Sequence, residues 1–126
     1  MFEHSKAFSG FSVDSIEKAK KFYGETLGLE TKDNPMGLLE LDLIGGSKII
    51  IYPKPDHKPA EFTILNFPVT DIDKAVNDLK SKGVKFETYE GQIETDENNI
   101  SRGKPQVAWF RDPAGNILSV IQSIDE

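Results

Sequence analysis

The sequence predicts an α+β domain built from two paired β-α-β-β-β modules, and three observations carry that expectation. Laying "FSGFSVDSIEKAKKFYGETLGLET" over "ILNFPVTDIDKAVNDLKSKGVKFET" at an offset of 56 residues matches Phe11 with Phe67, Val13 with Val69, Ile16 with Ile72, Lys18 with Lys74 and Ala19 with Ala75. Both copies read as a short strand followed by an amphipathic helix that a glycine stops, Gly28 in one and Gly83 in the other. Finally, "DPAGN" has the chemistry of a type I turn, with Pro113 fixing φ at the second position and Gly115 free to take positive φ at the fourth, so it joins two strands as a hairpin.

Each element follows in order. The first strand, ending at Val13, leads into a helix whose start carries the pair Asp14 and Glu17, in the manner of a capping box, and whose inward positions are Ile16, Ala19 and Phe22. "LLELDLIGGSKIIIY" supplies the strands that close the first module. "PKPDHKP" is an extended connector between modules. The second module repeats the plan: a strand ending at Val69, a helix start with Thr70 and Asp73, inward positions Ile72, Ala75, Val76 and Leu79, and the strands of "VAWFRDPAGNILSVI". Setting Gly46 against Gly115, an offset of 69, brings Ile50 onto Ser119. The whole chain, 1–126, is then one domain of two modules, about 6–56 and 60–124. "EGQIETDENNISRGKP" (90–105) is polar and acidic and reads as a mobile surface excursion, either a lid or a solvated loop. Its "NIS" at Asn99 matches a glycosylation acceptor only in form, since no secretory signal is seen.

Composition limits the chemistry. A chain of 126 residues buries enough surface to fold without staples, and the absence of cysteine removes disulfides, thiolate nucleophiles and Cys-based metal sites. Fifteen basic against 21 acidic residues give a net charge of −6, which argues against nucleic acid as a partner. Neither a signal peptide nor an apolar run of membrane-spanning length is visible, so a cytoplasmic protein without a membrane partner is expected.

The paired modules, "FSVDSIEKAKKFYGETLGLE" with its Phe22, Tyr23, Leu27 and Gly28, and "WFRDPAGNILSV" with its Asp112, Pro113, Gly115 and Asn116, resemble the vicinal oxygen chelate superfamily of glyoxalases, extradiol dioxygenases and bleomycin- and fosfomycin-resistance proteins. The resemblance spans nearly the whole chain. It implies a U-shaped mixed sheet with helices on its outer face, a homodimer, and a cavity in which enzymes of the family hold a divalent metal by one ligand on the first and one on the last strand of each module. Carried onto this sequence, those four slots are Phe8, Ile50, Ile64 and Ser119. A serine hydroxyl is a poor ligand and the other three are none, so no metal and no other cofactor is expected, and whether the protein is an enzyme stays open. His4 and His57 read as surface residues, and Glu40 as either a cavity carboxylate or a charge on an open strand face.

The hairpin sets the faces. With Asp112 opposite Asn116, alternation puts Trp109, Arg111, Ile117 and Ser119 on one face and Ala108, Phe110, Leu118 and Val120 on the other, under the helix. The same logic sends Phe8, Ile50, Tyr52, Ile64 and Asn66 into the cavity, giving an apolar, aromatic wall. The expected ligand site is therefore Phe8, Ile50, Tyr52, Ile64, Asn66, Trp109, Arg111 and Ser119. A metal-free protein binding or sequestering a small, partly apolar or aromatic molecule follows. The alternatives are a metal-dependent lyase, isomerase or dioxygenase of the same superfamily, or a non-catalytic interaction or regulatory module.

Overall fold

Residues 1–122 are described in the computed structural model, so positions 123 and 124 of the expected second module lie outside the described residues. The chain divides into two compact units, Met1–His57 and Lys58–Glu126. The first contains β1 (Ser9–Val13), α1 (Ile16–Lys20), a π-helical continuation (Lys21–Thr26), β2 (Glu30–Asp33), β3 (Leu39–Asp42) and β4 (Lys48–Pro53). Its four-stranded mixed sheet runs β1-β4-β3-β2, with β1 parallel to β4. In the second unit, β5 (Thr63–Pro68), α2 (Ile72–Ser81), β6 (Gln106–Arg111) and β7 (Ile117–Gln122) form a three-stranded sheet, β5-β7-β6, with β5 parallel to β7. The class is α+β.

The register of the two sheets obeys the internal repeat strand by strand. Gly10 pairs with Ile50 and Asn66 with Ser119; Glu40 pairs with Ile50 and Trp109 with Ser119; Asp42 pairs with Lys48 and Arg111 with Ile117. Because a slip of one residue would reverse every face, shared register is a stricter agreement than shared element order. In both units one face packs under the helix. Val13, Ala19, Tyr23, Leu39, Leu41, Ile49 and Ile51 make the first core, and Ile72, Val76, Ala108, Phe110, Leu118 and Val120 the centre of the second. Tyr23, which helical spacing passed over in favour of Phe22, is fully buried and packs on the rings of Phe11 and Phe22.

Three local features differ from the sequence reading. The helix caps sit one residue later: Ser15 accepts from the Lys18 amide and Asp71 from the Lys74 amide, both with extended backbone. Lysine stands three residues on in each case, so neither start is a capping box; Asp14 and Thr70 are equally capable cap types, and backbone direction decides between neighbours. The second module shows β-α-β-β with a single bridge, Phe86 to Phe110, where its remaining strand was expected. There the Glu87 amide bonds the Trp109 carbonyl, after which the chain leaves β6 and its polar residues bond locally.

That local bonding also corrects the mobile reading of 90–105. The Tyr89 and Thr95 main chains are tied to each other, Asp96 Oδ1 accepts the Asn98 and Ile100 amides, and Ile100 is fully buried. Asn99, at φ 66°, donates its amide to Phe86 O, Glu87 O and Thr88 Oγ1. Arg102 bonds Asp73 through two nitrogens and also reaches Asp96 and Gln106, fastening the segment to α2. The guanidinium holds the Asp73 carboxyl below the usual carboxylate range. Buried backbone and apolar anchorage, invisible in composition, override the polar average of the segment.

Candidate functional site

In the second unit the sheet face away from α2 is organised as cross-strand rows. Asn66, Ser119 and Trp109 are register partners across β5, β7 and β6, and Thr63, Ile117 and Arg111 form the next row. The type I turn predicted at Asp112–Gly115 creates this alignment. Gly115 takes φ 90°, its amide bonds Asp112 O at 3.0 Å, and the Asp112 amide bonds Asn116 O at 3.0 Å. The Asp112 carboxylate, itself buried, accepts from the Ala114 and Asn116 amides and from Asn116 Nδ2, which locks the loop.

Across these rows the indole of Trp109 leans over β7, donating Nε1–H to Thr63 Oγ1 at 3.2 Å. Ser119, in the strand between them, is 0% exposed, and its hydroxyl donates to Asn66 Oδ1. A buried hydroxyl needs such a partner. Trp109 remains half-buried, and the ring of Tyr89 meets it edge-on at 5.3 Å between centroids. At the end of the face Arg111 donates Nε–H to Glu87 Oε1 at 2.7 Å and Nη1–H to Gly115 O at 3.0 Å. Its bond to the Glu87 carboxylate holds the Arg111 guanidinium above its ordinary pKa. The fork that the sequence reading offered to an anionic ligand is thus partly engaged within the protein.

Ile64 sits where the β5–β7 register shifts, between Thr63 and Leu65, so strict alternation does not fix its face. In the first unit Ile50 is half-buried on the face away from α1, with Gly10 and Glu40 as its row partners and Tyr52, 42% exposed, next along β4. Phe8 lies just before β1 and is 67% exposed. Glu40 is on this face, 3.7 Å from Lys48 Nζ, and the Lys32 ammonium beside Asp42 holds that carboxyl below its usual range. The structure therefore brings Asn66, Trp109, Arg111 and Ser119 together on one face, and Ile50 and Tyr52 on another.

Sequence reasoning passed over Glu87, Tyr89 and Thr63. Alternation along "KFETY", paired against β6, would have set Glu87 beside Arg111 and Tyr89 beside Trp109. It also treated His57 as a surface residue, whereas His57 is half-buried with Nδ1 2.6 Å from Ser12 Oγ; the connector turns back through a His57 amide to Lys54 carbonyl bond. A separate open groove of about 480 Å³ at the start of α2 is lined by Pro68–Asp71, Lys74, Ala75 and Asp78 and by none of the expected site residues.

A divalent metal does not fit the donors present. Phe8, Ile50 and Ile64 offer no side-chain lone pair, and Ser119 supplies only a neutral, fully buried hydroxyl, a poor ligand for a hard divalent ion. Among the described residues no group of three or more His, Cys, Asp or Glu side chains is placed to hold a metal ion. Likewise, no helix among them is long and apolar enough to cross a membrane.

Comparison with known proteins agrees with the fold. The "Uncharacterized protein YurT" of Bacillus subtilis (strain 168) is 30% identical, the match covering 87% of this chain and 92% of that one. TnmS3, described as an antibiotic binding protein from Streptomyces sp. CB03234, superposes with a TM-score of 0.67 at 26% identity over 93% of this chain and 95% of its own. A superfamily member from Sphaerobacter thermophilus DSM 20745 gives a TM-score of 0.68 at 26% identity, covering 93% and 96%. Residues 7–120 match the family model, and with a duplicated strand–helix–sheet plan in one register the chain belongs to the Glyoxalase/Bleomycin resistance protein/Dioxygenase superfamily.

Proposed function

We propose that the protein is a metal-free binding member of this superfamily that holds a small, partly apolar or aromatic compound against its open sheet faces. The observation that carries the reading is the Asn66–Ser119–Trp109 row, where a half-buried indole, braced by Thr63 and Tyr89, stands beside an exposed amide. Such a mixture of aromatic surface and few oriented polar groups suits a neutral organic ligand. In the second unit Ile64 and Arg111 belong to the proposed wall, and in the first Phe8, Ile50 and Tyr52 form a proposed ligand surface of their own. The description of TnmS3 as an antibiotic binding protein supports sequestration as the purpose. Self-association into a homodimer belongs to the same reading, because β1 and β5 each leave one edge unpaired within their own sheet.

Three measurements on the purified protein test it. Elemental analysis after dialysis is expected to find no stoichiometric divalent metal, and about one equivalent of Zn, Ni, Mn or Fe per chain would overturn the metal-free reading. A screen of aromatic metabolites and antibiotics by intrinsic fluorescence is expected to give hits that change the emission of Trp109, the only tryptophan. Hits that leave it unchanged place the ligand elsewhere. Light scattering is expected to give a dimer, and a mass near 14.1 kDa at micromolar concentrations refutes that part.

A further inference from the structure

The polar member of the central row has a defined direction. Asn66 is exposed, yet its Oδ1 is occupied by the hydroxyl of Ser119, which is itself 0% exposed and so has little choice of partner. An amide is planar, with Oδ1 and Nδ2 on opposite sides of Cγ, so an oxygen held by the Ser119 hydroxyl leaves Nδ2 on the side away from that hydroxyl. Among the described residues Nδ2 donates to no other group. The neighbouring donors on this face are committed differently: the Trp109 N–H to Thr63, and two Arg111 nitrogens to Glu87 and Gly115. A ligand lying on the indole therefore meets, across β7 in the same row, an N–H donor with an unspent hydrogen bond.

Resting on the binding reading above, we propose that Ser119 and Asn66 form an oriented donor subsite that selects aromatic compounds carrying a neutral acceptor oxygen, a ketone or amide carbonyl, beside the ring. Ser119 is a positioning residue and Asn66 the group that touches the ligand. The selectivity comes from chemistry at the amide: an acceptor oxygen replaces water on Nδ2, whereas a methylene at the same place strips that N–H of water and returns nothing.

The test compares 2-acetylnaphthalene with 2-ethylnaphthalene, matched in size and differing in the carbonyl, by ¹H–¹⁵N correlation spectra of the full chain. The Trp109 indole signal reports occupancy of the aromatic surface and the Asn66 side-chain NH₂ pair reports the subsite. The acetyl compound is expected to bind about three- to tenfold more tightly, the range of one neutral hydrogen bond, and to move the indole signal and shift the Asn66 NH₂ pair downfield as a hydrogen-bonded donor, while the ethyl compound moves the indole without that downfield shift. Asn66→Leu and Asn66→Asp are expected to bring the affinity ratio to about one, and Ser119→Ala, which frees the amide to rotate, to lower it. Asn66→Asp keeps an acceptor for the buried Ser119 hydroxyl while Asn66→Leu does not, and unchanged core signals verify that each variant folds. If both compounds move Trp109 with equal affinity, or Asn66→Leu keeps the parent ratio, the subsite is wrong while the aromatic site stands. If neither compound moves Trp109, the binding reading and the subsite fall together.

Discussion

Gly10–Ile50–Glu40 in the first module and Asn66–Ser119–Trp109 in the second are the same row of the same fold, yet nothing in their chemistry matches. In the first row β1 contributes no side chain, and a Cβ at Gly10 would come within 3.0 Å of the Ile50 carbonyl; Glu40 lies near Lys48. In the second, Ser119 bonds Asn66 within the row and Trp109 reaches across it to Thr63 of the next row. The hairpins that hold the rows differ in the same sense. Both loops carry five residues with equivalent main-chain bonds, Leu43 N to Ser47 O and Asp112 N to Asn116 O. Where Asp112 fastens its loop with a buried carboxylate, Leu43 and the fully exposed Ile44 supply no such acceptor, and two glycines, Gly45 and Gly46, take positive φ. Backbone register survives duplication because every core contact depends on it, while the open face is free to specialise.

Substitutions can break this comparison in graded ways. Asp112→Ala leaves the buried Asn116 amide groups without their acceptor and is expected to cost about 2–4 kcal/mol in urea unfolding, against less than about 1 kcal/mol for Leu43→Ala at the equivalent place. Equal losses at the two positions would show that the carboxylate does not distinguish the loops. Next in size, Gly46→Ala and Gly115→Ala both force alanine into positive φ, at about 1 kcal/mol. Gly115→Ala also brings a Cβ within 3.2 Å of Pro59 Cγ, whereas Gly46 faces open space, so its loss is expected to be about twice as large by thermal unfolding. The smallest effect belongs to Ala114→Gly, which imitates Gly45: about 0.5 kcal/mol of destabilisation, read as a small fall in the urea midpoint, because only the unfolded chain gains freedom. A loss above about 1.5 kcal/mol there would mean that the Ala114 methyl packs in a way its first-module counterpart does not.

The repeat was legible because Phe11, Val13, Ile16 and Ala19 return at one spacing, and Gly46 and Gly115 at another, and periodicity of that kind constrains register directly. The hairpin faces followed from one turn. What the sequence hides is context. Adjacent residues able to cap a helix, such as Asp14 and Ser15, differ only in which one the backbone points inward. The β5 irregularity at Ile64 has no glycine to announce it. Glu87 and Tyr89 belong to a stretch with one bridge to β6, too short a pairing to declare its faces. His57 reaches Ser12 because a connector bends, and a bend of that kind leaves no periodic trace.

The Asn99 side chain has a consequence for producing the protein. Its Nδ2 is the atom that a glycosyltransferase would modify at the "NIS" sequence, and in the fold that atom reaches three acceptors, Phe86 O, Glu87 O and Thr88 Oγ1, from a left-handed backbone. An N-linked sugar replaces one of its hydrogens and adds bulk against the chain segment beside β6. Expression through a eukaryotic secretory route would therefore set the oligosaccharide against the fold, before folding is complete, and material from that source would carry a loosened 86–99 segment that bacterial material lacks.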